Sequence, residues 1–239
     1  MTAVLLAAGV GSRLRPLTDA MPKCLLPLGG STLLERTLRA FQGAGLARCL
    51  LVTGYRHEMV EAEVRRLGLR LPVECLYNAL YESTNNNYSL WLAGRKAAGS
   101  GILLMDADIL FDPALVQLLL EASAPDALVL RTDGLLGTEE IKVELAGSLV
   151  TRIGKDVDPS RAAGESIGIE KFSANTAQAL FEVLGRRKER YEFYEASFQE
   201  LIDQGTRLEA VASGDLVCME IDTPQDLAAA DLLARARRL

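Results

Sequence analysis

The chain has 239 residues, which is enough for one large domain, or a domain with an insertion, and for a substantial buried core. Its formal charge of −6 at pH 7 argues against a broad basic face, and we expect no nucleic-acid partner because such binding depends mainly on neutralising phosphates. No stretch approaches the ~18 uninterrupted apolar residues of a membrane-spanning helix, so we expect no membrane partner and a cytoplasmic location.

The first predicted element is a buried strand at residues 3–7. The segment 1–9 is apolar, but it lacks a basic start and runs directly into a glycine turn, which is not the pattern of a signal peptide. After a polar loop, Ser31 begins a predicted helix with one apolar face. That face comprises Leu33, Leu34, Leu38 and Phe41.

Short runs rich in valine, isoleucine and leucine then alternate with longer segments of helical period. The predicted strands are 49–53, 73–76 and 101–105, and the predicted helices are 57–67, one after Asn87 and one from Pro113. This alternation is typical of βα units, in which helices cover both faces of a parallel sheet. We therefore predict an α/β, Rossmann-like fold with a doubly wound, mostly parallel central sheet.

From residue 127 the pattern changes to shorter strands joined by turns. Strands at 141–145 and 149–153, followed by a turn-rich link, predict a small antiparallel lobe over the carboxyl edge of the main sheet. Two helical segments, a strand pair around Val211 and Val217, and a final helix complete the chain. The helix begins at Thr223.

The loop after the first strand is the first candidate site, because ligands of open parallel sheets bind beyond the carboxyl ends of the strands. Small residues there let backbone N–H groups approach a polyphosphate, and Arg13 and Lys23 add positive charge. The loop lacks the third glycine of G-x-G-x-x-G, since Leu14 stands there, and no Gly-Lys-Ser/Thr follows. A glycine pair alone also occurs in structural turns, so it leaves both interpretations open.

From Leu5 to Gly30 the chain resembles the signature of the sugar-1-phosphate nucleotidyltransferase superfamily, L-A-A-G-x-G-x-R-L-x-P-L-T followed by P-K and P-x-x-G. The resemblance implies a Mg²⁺-dependent nucleotidyltransferase that releases pyrophosphate. It implies that Arg13 contacts the triphosphate and that Lys23 lies at the reacting phosphates, both as catalytic residues. The nucleotide-binding residues that it implies are Leu6, Ala7, Ala8, Gly9, Gly11 and Ser12.

Two acidic segments are candidates for the metal site. Asp108 follows the central strand and Asp222 precedes a proline, and helix capping alone would explain either aspartate. The resemblance places one metal aspartate after the central strand and another in an I-D-T-P-like segment. We therefore predict Mg²⁺ on Asp108 and Asp222, with Asp106 beside the nucleotide and as the alternative ligand.

The segment 81–91 carries amide and hydroxyl groups that suit either a nucleotide base or the start of a helix. Its N-x-Y-S-L pattern resembles the choline-phosphate and inositol-phosphate cytidylyltransferase branch, as do Tyr194-Glu195 and the segment 220–222. This resemblance implies CTP as the nucleotide, with Asn87 and Ser89 near it.

The change of pattern at residue 127, together with the roles that the resemblance implies, divides the single domain 1–239 into a nucleotide-binding half (1–126), an inserted acceptor-binding lobe (127–172) and a C-terminal part that completes the core and the metal site (173–239). The acceptor-binding candidates are Lys142, Lys155, Glu165 and Tyr194. Lys155, also a catalytic candidate, corresponds best to the lysine that meets the acceptor's phosphate, although strand lysines are commonly solvated. The segment 127–168 has no aromatic residue, whereas choline recognition normally uses an aromatic cage.

We therefore expect CMP transfer from CTP to a small phosphorylated or phosphonate acceptor such as phosphocholine, aminoethylphosphonate or inositol phosphate. One alternative is a sugar-1-phosphate nucleotidyltransferase that uses another NTP. An alternative of another class is a non-catalytic nucleotide-sensing subunit. The sequence leaves the oligomeric state open, with a homodimer as one option.

Overall fold

The computed structural model describes residues 1–134, 136–187 and 191–237. The strands are β1 Thr2–Ala7, β2 Pro27–Leu28, β3 Ser31–Thr32, β4 Arg48–Thr53, β5 Val73–Tyr77, β6 Ile102–Asp106, β7 Ile109–Phe111, β8 Ala127–Arg131, β9 Lys142–Ala146, β10 Leu149–Gly154, β11 Gly164–Phe172, β12 Glu209–Ala212 and β13 Cys218–Glu220. The helices are α1 Leu33–Gly43, α2 His57–Leu67, α3 Asn86–Ala97, α4 Ala114–Glu121, α5 Ala174–Arg186, α6 Glu195–Asp203 and α7 Pro224–Arg237.

Within the described residues the central sheet has nine strands in the order β5-β4-β1-β6-β11-β8-β12-β10-β9. Strands β5, β4, β1 and β6 are parallel, as predicted. The second half is mixed, because β11 runs antiparallel to both β6 and β8. The prediction of a mostly parallel sheet is therefore wrong for this half. Parallel neighbours need a long crossover, usually a helix, and within the described residues β9, β10 and β11 follow β8 without an intervening helix.

The predicted antiparallel strands are β9 and β10, which pair with each other at the far edge and continue the main sheet. The predicted strand pair around Val211 and Val217 is wrong. Strand β12 pairs with β8 and with β10, while β13 pairs with β7. The reason is tertiary packing, since Met219 of β13 and Leu110 of β7 pack in the same apolar cluster.

Strand β1 is buried along its whole length because it is covered on both faces. Ala3 and Leu5 pack in one cluster with Phe41 of α1, whereas Val4 packs in a second cluster with Leu90 of α3. Alternate side chains of a strand point to opposite faces, which explains why the sequence of β1 is apolar throughout. None of the helices within the described ranges has both the length and the apolar character needed to cross a bilayer.

A third apolar cluster joins the loop after β1 to the C-terminal helix. It contains the buried Leu14 and Leu28 from the first part of the chain, and Ile221 and Ala234 from its end. The backbone N–H of Gly29 also donates to the Asp231 carboxylate of α7 at 2.7 Å. These contacts bring residues 220–222 beside the opening loop, although more than 190 positions separate them.

Candidate active site

A cleft of about 580 Å³ opens at the carboxyl ends of β1 and β6. Its wall includes the loop after β1, the start of β11 and the end of β13. Strand β11 runs in the opposite direction to β6, so its first residues meet the carboxyl end of β6 at the same edge. The position agrees with the general rule for ligand sites in open α/β sheets.

The loop after β1 turns through Gly11, whose φ of 64° favours glycine. A Cβ at Gly11 would lie only 3.2 Å from the Cβ of Lys23, so a larger residue would also press on that lysine. The Thr18 hydroxyl holds the turn by donating to the Gly11 carbonyl at 2.8 Å. Leu14, at the position of the missing third glycine, is fully buried and anchors the loop in the third apolar cluster.

Three carboxylates meet below this loop. Oxygens of Asp108, Glu220 and Asp222 lie within 4.8 Å of one another. The Lys23 ammonium donates to Asp108 Oδ2 at 2.8 Å and to Asp222 Oδ1 at 2.7 Å. Arg13 Nη2 donates to Asp222 Oδ2 at 2.6 Å. The loop and the carboxylates therefore form one connected site.

The capping of α7 leaves the Asp222 carboxylate available. The Asp226 carboxylate accepts hydrogen bonds from the backbone N–H groups of Asp222 and Thr223, and the Thr223 hydroxyl accepts from the Asp226 N–H. At α4, Asp112 rather than Asp108 accepts from the first helical N–H groups, with a 2.9 Å bond from Ala114. Capping therefore accounts for neither Asp108 nor Asp222.

The electrostatics of the cluster suit a divalent cation. Burial opposes the positive charge of Lys23, but Asp108 and Asp222 outweigh it and raise the pKa of Lys23. Partial burial, then the charges of Asp108 and Asp222, raises the pKa of Glu220 to about 8. Asp108 Oδ1 is buried and finds no hydrogen-bond partner among the residues that the structure describes. An unpartnered oxygen among crowded carboxylates fits Mg²⁺, which prefers hard oxygen ligands.

Most of the predicted site residues line the cleft, and three do not. Asn87 is buried in α3, away from the lining. Lys142 is buried and its ammonium donates to the carbonyls of Gly137 and Glu140 at 2.9 and 3.2 Å. The predicted residues in the lining are Leu6, Ala7, Ala8, Gly9, Gly11, Ser12, Arg13, Lys23, Ser89, Asp106, Asp108, Lys155, Glu165 and Asp222.

Tyr194 is the third predicted residue outside the lining. It is fully buried, and its hydroxyl donates to Asp106 Oδ2 at 2.9 Å. The ring therefore supports a residue of the cleft wall instead of facing the cleft itself.

The start of α3 combines a helix cap with one wall of the cleft. Asn85 caps the helix by accepting from the N–H of Asn86 at 2.8 Å. Asn78, which directly follows β5, donates to the Ser89 hydroxyl at 3.1 Å and was not predicted. Its position after a parallel strand was the available signal, because such positions lie at the ligand edge of the sheet.

The opposite wall carries charged side chains from β8 to α6. Lys155 donates to Glu139 at 3.1 Å, and its ammonium lies 4.7 Å from the centre of the Phe193 ring. Arg131 donates to Glu165 at 2.5 Å. The sequence did not predict Arg131, because its pairing with Glu165 depends on the register of β8 against β11.

Comparison with known proteins identifies relatives along almost the whole chain. A sequence model of the MobA-like NTP transferase domain matches residues 3–190. The CMP-5'-(3-aminopropyl)phosphonate synthase of Streptomyces rubellomurinus is 29% identical over 96% of this chain and 38% of the relative. The choline-phosphate cytidylyltransferase of Streptococcus pneumoniae is 34% identical over 45% of this chain and 44% of the relative.

The CTP:phosphoglutamine cytidylyltransferase of Campylobacter jejuni is 26% identical over 95% of this chain and 98% of the relative. The chain spans half or less of the length of most of the curated relatives it matches.

Two solved structures share the fold. The inositol-1-phosphate CTP transferase of T. maritima has a TM-score of 0.82 and 22% identity over 99% of this chain and 96% of that chain. The CTP:phosphocholine cytidylyltransferase of Streptococcus pneumoniae has a TM-score of 0.77 and 24% identity over 97% and 98%. These likenesses show the α/β, Rossmann-like nucleotidyltransferase fold.

Proposed function

The chain belongs to the MobA-like NTP transferase domain family, and from that membership we propose that it transfers CMP from CTP to a small phosphorylated or phosphonate acceptor and releases pyrophosphate. The observation that carries the proposal is the convergence of Asp108 and Asp222 on Lys23, directly below the glycine loop. The names of the similar relatives, which include a CMP-phosphonate synthase and two cytidylyltransferases, support CTP as the donor.

In this proposal Asp108 and Asp222 hold Mg²⁺, with Glu220 as a third carboxylate beside them. The bound ion supplies neutralising charge for the phosphate oxygens as the transfer proceeds. Lys23 bridges the same two aspartates, and its ammonium would add positive charge for the reacting phosphates beside them.

Residues of the cleft perform the remaining steps. Backbone N–H groups of the loop 9–12 bind the triphosphate, and the half-exposed Arg13 stabilises the departing pyrophosphate. An oxygen of the acceptor's phosphate attacks the α-phosphorus, and the bond from that phosphorus to the pyrophosphate oxygen breaks. The acceptor is already anionic at pH 7, so no general base is required, and positioning supplies most of the rate. Lys155 orients the acceptor's phosphate.

Asn78 and Ser89 form the proposed wall for the base, because both carry hydrogen-bonding groups able to read a base edge. The proposed location is the cytoplasm, since all four cysteines are free thiols, as is usual in a reducing compartment.

Pyrophosphate release tests the proposal. The protein is mixed with Mg²⁺, one of the four nucleoside triphosphates, and a panel of phosphorylated and phosphonate acceptors. CTP should give the fastest release. The Asp108→Asn variant should lose about a hundredfold or more in kcat, because a metal site contributes several kcal/mol to such transfers.

Asp112→Asn is the matched control. Asp112 caps α4 outside the cleft, and asparagine is an equally good cap, so release should stay at the wild-type level. Absence of release with every nucleotide and acceptor would contradict the proposed function.

A further inference from the structure

Three acidic side chains, Asp106, Glu170 and Glu195, form a cluster at the acceptor side of the cleft, which we call the acidic floor. Glu170 is fully buried and Glu195 is 6% exposed. Asp106 interacts electrostatically with both Glu195 and the metal-site residue Asp108, so the acidic floor adjoins the reacting centre. Glu195 and Asp106 line the cleft, and the buried Glu170 interacts electrostatically with both of them.

Two carboxylate oxygens of the acidic floor lack a hydrogen-bond donor within the described ranges, whereas Tyr194 and Ser166 supply donors to others. Glu195 Oε2 and Glu170 Oε2 are both buried and have no partner within the described ranges. The nearby ammonium of Lys155 donates to Glu139 instead. A buried oxygen without a partner carries a desolvation cost, and Glu195 can recover that cost from a ligand because it faces the cleft. Burial also raises the pKa of Glu195 to about 7, and a cationic partner would favour the ionised form of its carboxyl group.

The carboxylate oxygens without a hydrogen-bond partner favour one kind of cation over another. A protonated primary amine has three N–H donors, whereas a trimethylammonium group has none and requires aromatic faces instead. Within the described part of the chain, the aromatic residues of the cleft lining are Tyr81 and Phe193. The Phe193 ring already contacts the Lys155 ammonium. Tyr81 lies in the segment that follows β5, which also contains Asn78.

We propose that Glu195, backed by Asp106 and Glu170, binds a protonated primary amine of the acceptor. The preferred acceptor is then a short aminoalkyl phosphate or phosphonate, in preference to a quaternary ammonium or a polyol phosphate. This inference rests on the proposed function, because it assigns the acceptor class of the same site.

A matched pair of acceptors tests the inference. 2-Aminoethylphosphonate and propylphosphonate have nearly the same shape, but only the first carries a charged amine. In the wild-type protein, kcat/KM for pyrophosphate release should be about tenfold to a hundredfold higher with the amine, and higher than with phosphocholine or inositol 1-phosphate. In Glu195→Gln the difference between the matched pair should largely disappear, while the KM for CTP stays unchanged.

Glu200→Gln is the matched control on the same helix. Glu200 pairs with Arg186 and Arg187 outside the cleft, so this variant should keep the preference for the amine. Equal use of the two phosphonates by the wild type, or an unchanged preference in Glu195→Gln, would overturn the inference while leaving the proposed function standing.

Calorimetry distinguishes a failure of the amine-site inference from a failure of the proposed function. Absence of pyrophosphate release with every acceptor contradicts the proposed function, and binding of 2-aminoethylphosphonate then decides the amine site by itself. Binding that weakens at least about tenfold in Glu195→Gln supports the site, and binding that is absent or unchanged in the variant overturns it.

Discussion

Asp222 lies just before α7, and its carboxylate accepts a hydrogen bond from the Lys23 ammonium at 2.7 Å. Its place before Thr223 and Pro224 suits a helix cap, and only the resemblance to known nucleotidyltransferases assigned it to a metal. The structure assigns capping to the reciprocal bonds of Thr223 and Asp226, which leaves the Asp222 carboxylate facing Lys23. A local pattern could not separate these roles, because Lys23 is 199 positions away.

The carboxylates of Glu195 and Glu220 were harder to predict as site residues. Glutamate at the start of a helix or in a short strand is usually solvated, and the sequence gives no measure of burial. Glu195 becomes buried only because α6 packs against β10 and α5. Side chains whose surroundings depend on tertiary packing therefore escaped prediction, whereas those within the signature segment 5–30 did not.

Glu195 also predicts how stability depends on pH. Burial raises its pKa from 4.5 to about 7, opposed by the nearby Lys155, so the folded state binds more protons than the unfolded chain between these values. Stability is therefore lost as pH rises through this range, by roughly 3 kcal/mol for a shift of this size. The raised pKa values of Asp106 and Glu170 act in the same direction. Glu220 adds less because solvent screens its exposed side chain.

The measurement is the free energy of unfolding in urea, without divalent cations, from pH 5 to pH 9. It should fall with rising pH, and Glu195→Gln should reduce the slope between pH 5 and pH 7. A free energy that stays constant or rises over this range would contradict the burial of a titrating Glu195.

At the scale of elements, local patterns predicted most helices and the parallel strands. Helix α2 has the bounds that its sequence predicts, residues 57–67, whereas α1 begins at Leu33, two residues after the predicted start at Ser31. The partners of β11, β12 and β13 were not predictable in the same way. Strand pairing depends on contacts between distant segments, and short apolar strands fit several partners equally well.

One close approach between elements gives a prediction about the nucleotide loop. Gly54 follows β4, and a Cβ there would lie 2.6 Å from the Ala8 carbonyl oxygen and 2.6 Å from the Tyr81 Cβ. Gly54→Ala should therefore displace the backbone of the glycine loop, raise the KM for CTP about tenfold and destabilise the fold by about 1–3 kcal/mol. CTP titration and thermal melting measure the two effects.

The control is Gly43→Ala in α1, where a Cβ would meet no atom within 4 Å. This variant should bind CTP normally and gain up to about 1 kcal/mol of stability, since alanine favours helix over glycine. Normal CTP binding by Gly54→Ala would show that the contact with Ala8 does not shape the loop.

At the scale of the whole molecule, the alternation of strands and helices predicted the α/β class, and the solved relatives share it with TM-scores of 0.82 and 0.77. The sequence pattern did not predict that the loop after β1 packs against the C-terminal segment. It depends on the third apolar cluster, in which Leu14 and Leu28 pack with Ile221 and Ala234. This packing turns two distant acidic segments into one site.

Binding of a manganese ion tests that central claim most directly. The protein is crystallised with CTP and Mn²⁺, which takes the oxygen ligands of Mg²⁺ and is located by its anomalous scattering. The proposed site predicts an anomalous peak within bonding distance of both Asp108 and Asp222, beside the α-phosphate and the loop 9–13. A peak bound elsewhere, or a nucleotide bound in the cleft with no ion on these two carboxylates, would contradict it.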